Sequence, residues 1–310
     1  MKPSGSIVFF TTASGAGYGM LFWLGLMSAV GLLPGAVWYG LTALVIAGGL
    51  VTAGLLSSTA HLGNPQRAWR ALSQWRSSWL SREGVVALLT YVPAGLFALS
   101  WLVDPQPARL PGVVASVLAM VTVCCTAMIY ASLKPIRQWH NAWVAPFYLL
   151  AALFSGAICL AAVTGFANPV AAAVLAVIAV LSGAAASVVK LLYWRHIDTT
   201  TGASTVASAT GLGHLGKVRS FEAPHSEENY LLKEMGFRIA RKHAARLRAY
   251  ALLAAFAIPL AILLGVVAGF LPVTLIVVAA GSALLGLLLE RWLFFAEATH
   301  TVVLYYGREG

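Results

Sequence analysis

In this chain of 310 residues, 60% are hydrophobic and only 10% are charged. A soluble domain carries charge on about a quarter of its residues, so a water-soluble globular fold is excluded and a polytopic membrane protein is implied. The net charge of +10 would suit nucleic acid in a soluble protein; here it belongs to loops facing anionic lipid headgroups or an acidic partner, and no nucleic acid is expected.

Apolar runs of about 20 residues, long enough to span a bilayer, fall near Ile7–Leu33, Val37–Ser58, Glu83–Val103 and Pro111–Leu133, then near Trp143–Phe166 and Val170–Tyr193. After a polar segment come two more, near Tyr250–Phe270 and Val273–Phe295. The expected fold is therefore all-α, one integral membrane domain over residues 1–310 with about eight transmembrane helices. MKPSGSIVFF has one Lys and no clear cleavage site, so it reads as the start of a retained helix and not a signal peptide. Pro34-Gly35, Asp104-Pro105, Asn168-Pro169 and Leu271-Pro272 mark one set of short turns. Small residues such as Gly15, Gly19, Gly48, Gly49 and Gly183 let helix backbones approach where lipid gives no hydrophobic drive to pack. Cys124, Cys125 and Cys159 sit inside apolar runs without CxxC spacing and read as small core residues.

Charge sets the expected orientation. One set of loops holds Arg109 as its single basic residue; the other holds Arg67, Arg70, Arg76, Arg82, Lys134, Arg137 and Arg195, and ends with Arg238, Arg241, Lys242, Arg246 and Arg248. The positive-inside rule places the second set, and both termini, in the cytoplasm. Residues 194–249 are the only stretch with soluble-domain character: a polar, Gly-rich half, then a helix starting near Ser226, acidic first and basic last, as the helix dipole favours. This insertion is read as a docking platform for a cytoplasmic partner, with Met235, Phe237, Arg238 and Arg241 as contacts; lying flat on the bilayer is the alternative.

The stretch SSTAHLGNPQRAWRALSQWRSSWLSREG (Ser57–Gly84) concentrates the candidate chemistry. His61 lies where one apolar run ends and Glu83 where the next begins, at one membrane surface. All seven histidines fall at or beyond helix ends on that side, none near a helix middle, so no membrane-embedded haem is expected. No HxxxH or HExxH spacing occurs, and no metal site or catalytic centre is assigned. Glu290 and Arg291 read as an internal pair. Quinone chemistry moves two electrons and two protons; it requires hydrogen-bond partners for the ring oxygens and groups that exchange protons near neutral pH. A membrane-edge site lets the isoprenoid tail stay in lipid, and His61 with Glu83 fits that pattern.

HLGNPQRAWRAL followed by SSWLSREG (His61–Leu72, Ser77–Gly84) resembles the membrane anchor of the dimethyl sulfoxide reductase family. IYASLKPIRQWHN (Ile129–Asn141), NYLLKEMGFRIARKHAARLR (Asn229–Arg248) and ERWLFFAEATHTVVLYYG (Glu290–Gly307) are similar to the anchors of quinone-linked sulfite dehydrogenases. The resemblance, which covers nearly the whole chain, implies an eight-helix anchor in a bacterial inner membrane without a redox centre of its own. Its partners would be an iron–sulfur subunit and a catalytic subunit with a molybdenum bis-pterin cofactor, and His61 and Glu83 would bind ubiquinone or menaquinone. Arg67 and Arg82 would hold the carboxylate or orient the partner; Trp69, Trp79 and Tyr130 would pack on the ring or anchor helix ends. The basic loops place that partner in the cytoplasm, which favours sulfite oxidation with electrons passing to the quinone pool. A quinol-oxidising reductase anchor is the alternative within the family. An anion transporter or channel is the alternative from another class; it would call for mid-membrane charges or broken helices, and the sequence shows neither.

Overall fold

Backbone polar groups in a bilayer core must satisfy one another, and this protein does so with helices. A computed structural model describes residues 3–59, 64–103, 109–200, 204–219, 221–222 and 243–306. In chain order the helices are α1 (Gly5–Ala29), α2 (Val37–Thr59), α3 (Trp79–Val103), α4 (Arg109–Ala131), α5 (Val144–Thr164) and α6 (Pro169–Thr199). They continue with the short α7 (Val206–Thr210), then α8 (Ala244–Val267) and α9 (Ile276–Ala296). All but α7 are long and apolar enough to cross a membrane, so the protein is a multi-pass, all-α membrane protein. No strand occurs among the described residues; Ile136 and His300 form one isolated bridge.

The helix limits follow local chemistry. The Asn168 side chain accepts hydrogen bonds from the backbone N–H groups of Val170 and Ala171, each at 3.1 Å, and Pro169 fills the first turn. That is the usual way to satisfy orphan donors at a helix start. Two limits differ from the apolar runs. α6 continues beyond Tyr193 to Thr199, and α8 begins at Ala244, well before Tyr250. Arg248 explains both extensions: it pairs with Asp198 at 2.6 Å and with Glu297 at 2.7 Å, so the charged ends of α6 and α8 neutralise each other. Both ends of the 194–249 segment are therefore helix, and its middle, 223–242, lies outside the described residues.

α1 and α5 are the most enclosed helices; α2 and α3 turn most of their surface outward. α1 meets α5 where Gly19 faces Gly156: a Cβ on either glycine would overlap the other helix's backbone, so only glycine permits this approach. α8 widens into a π-turn at Leu253–Ala257, and the Ser282 hydroxyl of α9 donates to the Ala254 carbonyl there at 2.8 Å. At one end of the bundle the α4–α5 loop docks on the segment after α9. Thr301 N–H donates to the Pro135 carbonyl at 3.0 Å, and Gln138 exchanges two hydrogen bonds with Thr299. The motifs Ile129–Asn141 and Glu290–Gly307 thus form one structural unit. Among the described residues, Arg109 is the single charged side chain at the opposite end.

Candidate functional site

Glu83 lies roughly one turn inside α3, on a face shared with Ala87 and Thr90, and is only 4% exposed. Its Oε1 accepts a hydrogen bond from the hydroxyl of Thr126 on α4. The preceding residue points the other way. Arg82 donates to the Trp75 carbonyl at 3.0 Å and the Arg76 carbonyl at 2.8 Å, and stacks 4.3 Å from the Trp79 ring centroid. The Ser81 hydroxyl donates to the Ala71 carbonyl. These bonds fasten the 3₁₀ stretch Pro65–Gln74 onto the head of α3. Arg82 thus holds the loop, and a hydroxyl rather than a guanidinium meets the carboxylate.

A cleft of about 190 Å³ opens between α1, α2 and α3. Its walls include Leu44, Val51, Ala87 and Ala94, and its polar groups are Tyr18, Thr90 and Tyr91. On α3 it runs from Ala87 to Ala98, about 16 Å at 1.5 Å per residue. Along its mouth Tyr91 and Gly95 are exposed on the lipid-facing surface and Gly48 is half-buried, whereas Tyr18, Ala87 and Thr90 are buried at its floor. Tyr91 and Thr52 share a 2.7 Å hydrogen bond beside the mouth and tie α3 to α2. The buried Tyr18 hydroxyl makes no hydrogen bond of ordinary geometry. Glu83 stands one helical turn beyond Ala87 on the same face, so the cleft leads from lipid almost to a buried carboxylate.

The ionic groups cluster at the same end. Lys190 and Glu290, each 1% exposed, form an ion pair, and Arg291 Nε lies 3.4 Å from the other Glu290 oxygen. The Lys190 ammonium sits 4.1 Å from the Tyr193 ring centroid, and the Arg291 guanidinium 3.6 Å from that of Tyr148. Lys190, Arg291 and Arg248 balance Glu290, Glu297 and Asp198 in formal charge. Among the buried carboxylates described, Glu83 is the one left outside this balance, so gaining or losing its proton breaks no ion pair among the described residues.

A family model for the DMSO reductase anchor subunit (DmsC) matches residues 2–308. The chain belongs to the DMSO reductase anchor subunit family. A sulfite dehydrogenase subunit of Allochromatium vinosum is 34% identical over 99% of this chain and 99% of its own length. The anaerobic dimethyl sulfoxide reductase chain YnfH of Escherichia coli is 26% identical over 49% of this chain and 55% of its own length. Another polypeptide named for the anaerobic dimethyl sulfoxide reductase of Escherichia coli is also 26% identical, over 34% of this chain and 38% of its own length.

In this anchor subunit the sequence-picked residues separate into groups. Glu83 is buried at the head of the cleft; Arg67 and Trp69 are on the loop, Trp69 exposed at 66%, beside the exposed Arg70, Trp75 and Arg76. Trp79 is half-buried under Arg82. Tyr130 is buried one turn beyond Thr126 in an aromatic cluster: it stacks on Tyr148 at 5.9 Å and meets Trp139, Phe294 and Phe295 edge-on. His61, Met235, Phe237, Arg238 and Arg241 lie outside the described residues. Sequence reasoning paired Arg291 with Glu290, as the structure does at 3.4 Å, but missed Thr126, Tyr148 and the cleft. The hydroxyls carried no distinguishing spacing in runs rich in small residues, although two charges adjacent in an apolar run, Glu290 and Arg291, did signal a buried polar centre.

Proposed function

We propose that this anchor subunit holds a quinone in the cleft between α1, α2 and α3 and delivers to it electrons from a partner that oxidises sulfite in the cytoplasm. The observation that carries the reading is a buried carboxylate, Glu83, with no ion-pair partner among the described residues, one turn beyond the inner end of a lipid-open cleft. An isoprenoid tail leaves through the mouth into lipid, while the ring reaches the Tyr18 and Thr90 hydroxyls and approaches Glu83. His61, next along the chain after α2, hydrogen-bonds one ring oxygen. Glu83 exchanges the protons that accompany the two electrons. The electrons come from an iron–sulfur subunit, itself fed by a molybdenum bis-pterin catalytic subunit; both sit on the cytoplasmic face of a bacterial inner membrane. Two things support that side and substrate: the basic residues crowd one end of the bundle, and a sulfite dehydrogenase subunit matches over nearly the full length. The exposed ridge of Trp69, Arg70 and Trp75, with Arg67 beside it, and the segment carrying Met235, Phe237, Arg238 and Arg241 form the docking face.

The test is electron transfer in membranes holding the assembled complex, measured to quinone and to a soluble dye that bypasses the anchor. His61→Ala and Glu83→Gln each lower the quinone rate roughly ten- to a hundredfold, the loss expected when a buried hydrogen-bonding or proton-carrying group is removed. The dye rate stays. Wild-type quinone rates in both variants would end this reading.

A further inference from the structure

Behind Glu83, on the side away from the cleft, a second cavity lies between α1, α4, α5 and α9. Its volume is about 20 Å³, room for a water molecule or two, since one needs roughly 10–15 Å³ on this measure. Thr11, Ser14, Thr126, Tyr148, Ser155 and Arg291 contribute its polar lining. Thr11, Ser14 and Ser155 donate their hydroxyl protons to carbonyls of their own helices, at 3.0, 2.6 and 2.7 Å, and so offer acceptor lone pairs. Tyr148 and Arg291 are each 3% exposed and interact with each other, but neither the Tyr148 hydroxyl nor Arg291 Nη1 makes a hydrogen bond of ordinary geometry. Buried donors of this kind are almost always satisfied. Acceptors on one wall and two unspent donors on another, around a space of this size, define a water site.

Thr126 joins that site to Glu83. Its one hydroxyl proton has two acceptors in reach, Glu83 Oε1 and the Thr122 carbonyl at 3.1 Å. The hydroxyl can donate to an ionised Glu83, or accept from a protonated one and donate to Thr122, so it serves both states of the carboxyl. Gly15 also borders the cavity, is partly exposed, and has open space where a Cβ would stand.

We propose that this pocket holds water that exchanges protons with Glu83 through the Thr126 hydroxyl, Tyr148 and Arg291 being positioning residues that keep the water in place. The proposal rests on the quinone reading. Converting quinone to quinol takes two electrons, supplied by the iron–sulfur partner, and two protons. The pocket carries protons alone: Glu83 gives one to a ring oxygen, Thr126 passes its hydroxyl proton to Glu83, and a pocket water donates to the Thr126 oxygen. That water is reprotonated from the aqueous phase, and the cycle runs twice per quinol.

The experiment uses the assembled complex, with dye-linked activity reporting assembly. Thr126→Val removes the relay hydroxyl and Gly15→Val fills the pocket. Both are expected to lower kcat for quinone at least tenfold, leave the quinone KM within twofold, and raise the solvent deuterium isotope effect. Gly15→Ala, whose methyl meets nothing within 4 Å, gives a smaller loss. Hydroxyl-radical labelling then reads the water without using quinone: Tyr148 is oxidised in the wild type and protected in Gly15→Val. An unlabelled wild-type Tyr148, or wild-type kcat in Thr126→Val, overturns the proposal; if Gly15→Val fails to assemble, Thr126→Val decides. A wild-type complex that labels at Tyr148 but transfers nothing to quinone overturns the quinone reading and the proton role together, leaving a structural water.

Discussion

The Lys190–Glu290 pair offers a stringent test of how the bundle holds charge. Both side chains are 1% exposed, and three rings of Phe147, Tyr193 and Trp194 stand within 4.1 to 4.9 Å of the ammonium. Lys190→Met removes the cation and leaves Glu290 with Arg291 alone, at 3.4 Å. Breaking a buried pair on one side costs about 3–5 kcal/mol, because the surviving charge is stranded; replacing both members with apolar residues is often neutral or better. The residual Arg291 contact sets the expectation for Lys190→Met at the low end, about 3 kcal/mol. In Lys190→Met/Glu290→Met no carboxylate is stranded, but Arg291 loses Glu290 and keeps only its place over the Tyr148 ring. The double variant should therefore recover part of the loss. Equilibrium unfolding in mixed detergent micelles, followed by circular dichroism, measures the four corners of the cycle. A double variant at least as unstable as the sum of the singles would refute the stranded-charge account.

Three further outcomes are expected. Gly156→Leu drives a side chain into the α1 backbone at Gly19 and should abolish folding, read as loss of a monodisperse peak in detergent chromatography; an intact peak would mean that the α1–α5 contact is looser than described. A C-terminal reporter that functions only in the cytoplasm should be active, and activity of a periplasm-dependent reporter at that end would reverse the orientation and with it the sulfite assignment. Met235→Asp with Phe237→Asp should release the soluble partner subunits from membranes; retention with full quinone activity would move docking to the Pro65–Gln74 ridge.

The eight spans were legible because lipid imposes one rule on every residue between Gly5 and Ala29 or between Val144 and Thr164: be apolar and helical. Limits failed where that rule was suspended by ion pairing. Asp198, Arg248 and Glu297 read as polar flanks in sequence, yet together they extend α6 and α8. Glu83 was legible because a lone acid opening an apolar run is costly unless used. Arg82 was legible as a neighbour but not in role: one step along a helix turns a side chain by about 100°, and only the fold shows that 82 faces the loop and 83 the core. Thr126 gave no signal, since a threonine bonding its own helix is ordinary, and Gly15 read as a helix-packing residue although open space stands where its Cβ would be.

Electron and proton transfer make different demands on a membrane subunit, and in the function proposed above this anchor would answer only the second with its own side chains. In the reading proposed above, electrons come from a partner's clusters, so the anchor's part would be to fix where that partner sits, a task for the basic loops and the exposed Trp69 and Trp75. Protons move only along hydrogen bonds, so the groups that handle them must touch. Glu83 touches Thr126, Thr126 borders the pocket, and the pocket ends on Tyr148 and Arg291. These groups lie within a turn or two of one end of the bundle, where charge costs least to bury and water is closest. In the same proposal the cleft completes the arrangement from the opposite quarter: it would bring quinone in sideways from lipid to meet the proton route at a single carboxylate.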